Sequence, residues 1–151
     1  MSVVEQDLMQ LYSQRILALA ADIPHQGRNE DAAAVVMKRS PLCGSTVTVS
    51  LDLDAEGRVA DFAQDVKACA LGQASAAVLG GAVVGRTRDE VAQGRDQLRA
   101  MLKEGGAVPD APFDGLEALL PAKDYKNRHA SILLAWDATV AAMDKAAEAA
   151  S

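Results

Sequence analysis

The strongest constraint on the fold is the unbroken alternation of residues 46–53, Thr-Val-Thr-Val-Ser-Leu-Asp-Leu. Apolar side chains at every second position fall on one face of an extended chain, so Val47, Val49, Leu51 and Leu53 face a core and the polar residues face away. This is the pattern of an antiparallel strand with one face covered. Asp54, Ala55, Glu56 and Gly57 supply a turn, and residues 59–68 return with Ala60, Phe62, Val66 and Ala68 expected on one face. The two segments predict a β-hairpin. The two cysteines of the chain flank it, Cys43 just before the first strand and Cys69 just after the second. Antiparallel pairing therefore predicts both thiols at one end of the sheet.

Around the hairpin the pattern is helical. Leu8, Leu11, Tyr12, Ile16 and Leu19 recur at three- and four-residue steps over residues 5–21, which predicts an amphipathic helix ending before Pro24 and Gly27. Residues 34–38 read as a short strand. After Cys69 the chain is small and apolar up to Gly80 and Gly81, as in a buried helix. Thr87, Arg88, Asp89 and Glu90 form a capping-box sequence that opens a helix ending at Gly105. A proline-containing loop spans residues 107–114, with a helical turn around residues 116–120. A last helix is predicted over residues 127–149, with Leu133, Trp136, Val140 and Met143 at helical spacing. The sum is an α+β fold, a small antiparallel sheet of about three strands against about five helices, in one domain over residues 1–151.

Composition narrows the function. With 151 residues, 50% apolar, the chain has material for one sizeable core. A net charge of -6 lacks the clustered Lys and Arg that phosphate binding requires, so nucleic acid is not an expected partner. Residues 1–11 lack the basic start and apolar run of a signal peptide, and no stretch is long enough to span a membrane. A cytoplasmic protein is expected, in which two cysteines read as free thiols, ligands or sulfur carriers rather than a disulfide.

Each thiol sits at the edge of an element, Cys43 in a Gly-containing turn and Cys69 before a helix. Backbone N–H groups and the helix dipole favour thiolate at such places, which suits a metal ligand or a sulfur nucleophile. Cys43 also reads as a small turn residue and Cys69 as a buried small hydrophobe. Lys67 is placed to support a thiolate, and Lys126 and Arg128 to support one or to meet an acidic partner, although solvated faces explain all three. Trp136 reads as core and His25 as exposed. No Ser-His-Asp arrangement, P-loop or dinucleotide fingerprint is present, and no enzymatic activity is expected beyond persulfide transfer.

Four segments in order carry a resemblance to a known family. They are Leu11-Tyr12 to Ile16-Leu17 with Pro24 and Gly27; Pro41-Leu42-Cys43-Gly44; Cys69 with Gln73-Ala74-Ser75; and Leu134-Ala135-Trp136. Together they resemble the NifU/IscU/SufU-type iron–sulfur cluster assembly scaffolds, of SufE/NifU-like fold. The resemblance implies a site at Cys43 and Cys69 for iron, a transient iron–sulfur cluster or zinc. It also implies a cysteine desulfurase and apo acceptor proteins as partners, and a homodimer if ligands are shared between copies. The chain departs from the family at two ligand positions. Ser45 stands where the family has aspartate. Its third cysteine falls on Ser131 when counted from Leu134-Ala135-Trp136, or on Ala130 when aligned on the preceding histidine. His129, through a ring nitrogen, and Ser131 are then the candidates to complete the metal site with Cys43 and Cys69. Two further functions stay open: a SufE-like sulfur acceptor that relays persulfide, and a non-catalytic regulator of cluster assembly.

Overall fold

The computed structural model describes residues 12–41 and 44–150. Cys43 and the first part of the predicted opening helix lie outside the described residues. Helix α1 (Gln14–Ala21) starts at Ser13, whose hydroxyl accepts the Ile16 N–H, and buries Ile16. Three strands follow, β1 (Ala34–Arg39), β2 (Thr46–Leu53) and β3 (Val59–Lys67), paired antiparallel in the order β1-β2-β3. Then come α2 (Ala70–Ala82), α3 (Arg88–Glu104), a 3-10 stretch (Asp114–Asp124), a single 3-10 turn (Lys126–Arg128) and α4 (His129–Ala150).

The hairpin forms as its alternation requires. Val47, Val49 and Leu51 are buried and pair with Val66, Gln64 and Phe62. Near the turn the pairing slips between Asp52 and Leu53, so Leu53 opposes Val59 and Ala60 is passed over. This β-bulge reverses the facing of the chain beyond it. Val59 is buried and Ala60 exposed, the opposite of simple alternation carried back from Phe62.

Helices cover the inner face of the sheet, with α4 lying along β1 and β2 and against α2 and α3. The fit depends on small residues. A Cβ at Gly94 would lie 2.8 Å from a Trp136 ring carbon, and one at Gly80 would lie 2.6 Å from Gln64 Nε2. Helix α2 runs on through Gly80 and Gly81 to Ala82, and of these two glycines only Gly80 is closely packed. The capping box at α3 is complete, with Thr87 and Glu90 each accepting the other's backbone N–H, and Gly105 closes the helix in the left-handed region at φ 67°. The helical turn expected around residues 116–120 is the longer 3-10 stretch, which contains Pro121. The last helix begins at His129, after the separate 3-10 turn. Among the described residues no helix is long and apolar enough to cross a membrane.

Candidate functional site

Cys69 occupies the N-cap position of α2 in extended backbone geometry, φ -67° and ψ 169°, and its side chain makes no capping hydrogen bond. The sulfur is therefore free for other contacts beside the unpaired N–H groups of the first helical turn. It is partly buried. Its position is held from both sides: the Cys69 carbonyl accepts the Gln73 N–H at 2.9 Å, and Gln73 Nε2 donates to the Ala68 carbonyl at 3.0 Å. The glutamine of the Gln73-Ala74-Ser75 motif thus clamps the turn that presents the thiol.

From the other end of the chain, α4 delivers Ser131. Its hydroxyl oxygen lies 3.6 Å from Cys69 Sγ and 3.0 Å from the Ser45 hydroxyl oxygen. Three distant positions, 45, 69 and 131, meet at the end of the sheet where β2 begins and β3 ends. Both serines are nearly fully buried. Of the two alignments open from the sequence, the helix phase turns Ser131 to Cys69 and leaves Ala130 exposed.

The first cysteine loop is clasped at its ends. The Ser40 N–H donates to the Ser45 carbonyl at 2.8 Å, and the Gly44 N–H donates to the Ser40 carbonyl at 2.9 Å. Gly44 has φ 70°, a conformation that glycine adopts without a Cβ clash. This clasp fixes both chain ends from which Cys43 is carried, while Cys43 itself lies outside the described residues.

His129 goes elsewhere. It is buried, and its Nε2 lies 3.0 Å from the Ala122 carbonyl of the 3-10 stretch, which makes that nitrogen the donor. Positions two apart on an α-helix differ by about 200° in direction, so the phase that aims Ser131 at Cys69 aims His129 away. His129 instead lines a cleft of about 560 Å³ with Leu102, Lys103, Gly105, Lys123, Asp124 and Lys126. Among the described residues no group of three or more His, Cys, Asp or Glu is placed to hold a metal ion. Lys67 is exposed at the end of β3, and His25 is exposed in the loop after α1.

Sequence reasoning missed Gly72. A Cβ there would lie 2.7 Å from Ser131 Oγ and 3.1 Å from the Ser131 carbonyl, so α2 approaches α4 at the site only because residue 72 has no side chain. The signal was a glycine within the first turn of an otherwise well-packed small-residue helix. The Ala74-Ser75 pair also gains a reason. Ser75 donates to the Ile132 carbonyl at 2.7 Å and accepts the Trp136 indole N–H at 3.0 Å, joining α2 to α4 one turn beyond the site.

The chemistry of this donor set is one thiol and two hydroxyls already bonded to each other. A serine hydroxyl stays protonated near neutral pH and is a weak ligand for iron or zinc, which favour thiolate, imidazole and carboxylate. The hydroxyls are suited to hydrogen-bonding an anionic sulfur.

Comparison with known proteins gives these positions a context. The NifU-like N terminal domain family profile matches residues 11–145. Iron-sulfur cluster assembly scaffold protein IscU of Streptococcus pyogenes serotype M1 is 24% identical over 126 residues, 83% of this chain and 79% of that protein. The IscU scaffold protein of Thermotoga maritima is 24% identical over 135 residues, 89% and 94% of the two chains. The crystal structure of a nitrogen-fixing NifU-like protein (N-terminal) from Brucella abortus superposes with a TM-score of 0.90 at 43% identity, covering 94% of this chain and 98% of that one. A putative SUF-system scaffold, SufU of Fervidobacterium islandicum AW-1, shares the fold with a TM-score of 0.77 at 23% identity, over 89% and 98%. With the family profile spanning nearly the whole chain and a near-complete structural match at 43% identity, the chain belongs to the NifU-like N-terminal domain family.

Proposed function

We propose that the chain is a scaffold-like protein of iron–sulfur cluster assembly that takes iron or a cluster as cargo on Cys43 and Cys69. The supporting observation is the meeting of Ser45, Cys69 and Ser131 at one end of the sheet. These are the positions that correspond to three of the family's ligands, and the partly buried thiol lies among them. With hydroxyls at two of them, the chain supplies two thiolates and needs further donors from the cargo, from a partner or from a second copy. Retention of cargo is therefore weak and release is easy, because each lost thiolate removes charge that balances the metal.

One observation favours a second reading, sulfur relay without metal. Ser131 is close enough to donate to Cys69 Sγ, and Ser45 to donate to Ser131. Such a chain of hydroxyls stabilises an anionic sulfur better than a metal cation. In that reaction the Cys69 thiolate attacks the terminal sulfur of a donor persulfide. A new S–S bond forms at Cys69, the donor S–S bond breaks, and the donor leaves as thiolate.

The two readings separate in one experiment. Protein purified without air is analysed for iron and zinc by elemental analysis and for added sulfur on Cys43 and Cys69 by mass spectrometry, after incubation with a cysteine desulfurase and cysteine. Iron that depends on both cysteines supports the scaffold reading. Persulfide on Cys69 with no bound metal supports the relay. Neither iron nor persulfide contradicts both.

A further inference from the structure

The cleft that His129 lines, on the side of α4 turned away from Cys69, gathers cations from three separate segments. Lys103 comes from the last turn of α3, Lys123 from the end of the 3-10 stretch and Lys126 from the 3-10 turn before α4. All three are exposed, and among the described residues none of them forms an ion pair. Asp124 is the acid in the lining, and it too forms no ion pair, so it neutralises none of the lysines at contact distance. The negative end of α3 adds about half a charge. Against three ammonium groups the balance stays positive, on a chain whose net charge is -6. Lys103 has a sufficient account as the cation that complements the end of its helix. Lys123 and Lys126 do not, since they reach the same space from another segment. The walls suit a small molecule. A volume of about 560 Å³ lies within the range of ligand sites, roughly 300–1,000 Å³. Leu102 and His129 in its lining are buried, and His129 is fixed by its bond to the Ala122 carbonyl, so the cations surround a wall held by the core.

We propose that this cleft binds a small molecule carrying two or more oxyanion charges, a phosphate ester or a polycarboxylate, through Lys103, Lys123 and Lys126. A lysine ammonium is a compact point charge on a flexible stem, so the site selects by charge before shape. A monovalent anion satisfies one lysine and leaves the others unpaired, whereas a multivalent one spans them. A cleft lined by one sign of charge also concentrates ions of the other sign, an effect that falls with ionic strength. The bound molecule ties α3 to the segment that leads into α4, and it stabilises the folded chain by mass action. The proposal stands whether or not Cys69 carries cargo.

The test titrates the full chain with pyrophosphate, citrate and acetate by isothermal calorimetry at about 50 mM salt, and again at higher salt. Two variants are compared with wild type: Lys103→Gln/Lys123→Gln/Lys126→Gln, and Arg39→Gln/Lys67→Gln, which removes exposed cations outside the cleft. Circular dichroism confirms that each folds. Expected is one-to-one binding of pyrophosphate, citrate or both in preference to acetate, weaker by roughly tenfold or more in the cleft variant and unchanged in the other. The melting temperature should rise with the bound probe in wild type and in the Arg39/Lys67 variant, and stay fixed in the cleft variant. Binding of pyrophosphate alone assigns the site to a phosphate ester, binding of citrate alone assigns it to a polycarboxylate, and binding of both makes charge the selector. The proposal is overturned if neither multivalent probe binds saturably, if the cleft variant binds as well as wild type, or if both variants lose binding equally. None of these outcomes bears on iron or sulfur at Cys69, so the site and the cluster-assembly reading fail separately.

Discussion

Ser131 Oγ stands 3.6 Å from Cys69 Sγ, although α4 and the start of α2 are far apart in sequence. Helix α2 comes close enough because residue 72 is glycine, with Ser131 Oγ 2.7 Å from where a Cβ would sit. Alanine at 72 gains about 1 kcal/mol of helix propensity. Against this, its methyl group meets a backbone carbonyl and Ala68 as well as the hydroxyl. Gly72→Ala is expected to destabilise the fold by about 1–2 kcal/mol net in urea unfolding. Adding Ser131→Ala should recover part of the loss, a coupling of about 0.5 kcal/mol or more that a double-mutant cycle reads directly. Additive losses would show that the two residues do not press on each other.

Ser75 links the helices behind the site. Removing its hydroxyl takes a donor from the Ile132 carbonyl and leaves the buried Trp136 indole N–H without an acceptor. Ser75→Ala is therefore expected to cost about 2 kcal/mol, since an orphaned buried donor carries its full desolvation penalty. The indole reports this independently: its fluorescence should change in the folded state. A variant as stable as wild type with unaltered emission would refute the bridging role.

The capping box at α3 makes stability depend on acid. The Glu90 carboxyl is held below its ordinary range, chiefly by the hydrogen bond from the Thr87 backbone N–H, with Arg86 and Arg58 adding to the effect. A depressed folded value means stabilisation that is present above the ordinary carboxylate range and lost as pH falls through the depressed value. Glu90→Ala should be less stable than wild type near neutral pH, and the gap should close as the solution is acidified. Thr87→Ala removes the other half of the box and should cost about 1 kcal/mol. A Glu90→Ala deficit that stays constant down to pH 2 would rule out the carboxylate as its source.

Much of this architecture was legible in local patterns. The alternation of residues 46–53 specified strand β2 and its buried face, and Thr87 and Glu90 marked the start of α3 to the residue. Cys69 at the head of a helix followed from the change of period after β3. What local patterns do not carry is phase set by distant contacts. Ala60 turns outward because the ladder slips beside Asp52, and nothing within residues 59–68 announces the slip. His129 faces the Ala122 carbonyl at the point where α4 begins, directly after the 3-10 turn Lys126–Arg128, a contact seven residues back that the helical spacing of α4 does not announce. The same phase chose Ser131 over Ala130. The contact of Ser45 with Ser131 spans most of the chain, so only the packed fold brings the two hydroxyls together.

The central claim is that this end of the sheet takes iron–sulfur cargo on cysteine thiolates, with hydroxyls limiting how tightly it is held. Anaerobic reconstitution with iron and sulfide, read by visible absorbance and iron content, tests it in four proteins: wild type, Cys69→Ala, Ser131→Cys and Ala130→Cys. Low occupancy is expected in wild type, none in Cys69→Ala, a clear rise in Ser131→Cys, and no rise in Ala130→Cys, whose side chain points into solvent. Full, stable occupancy in wild type that Ser131→Cys does not improve and that survives loss of Cys69 would contradict the account.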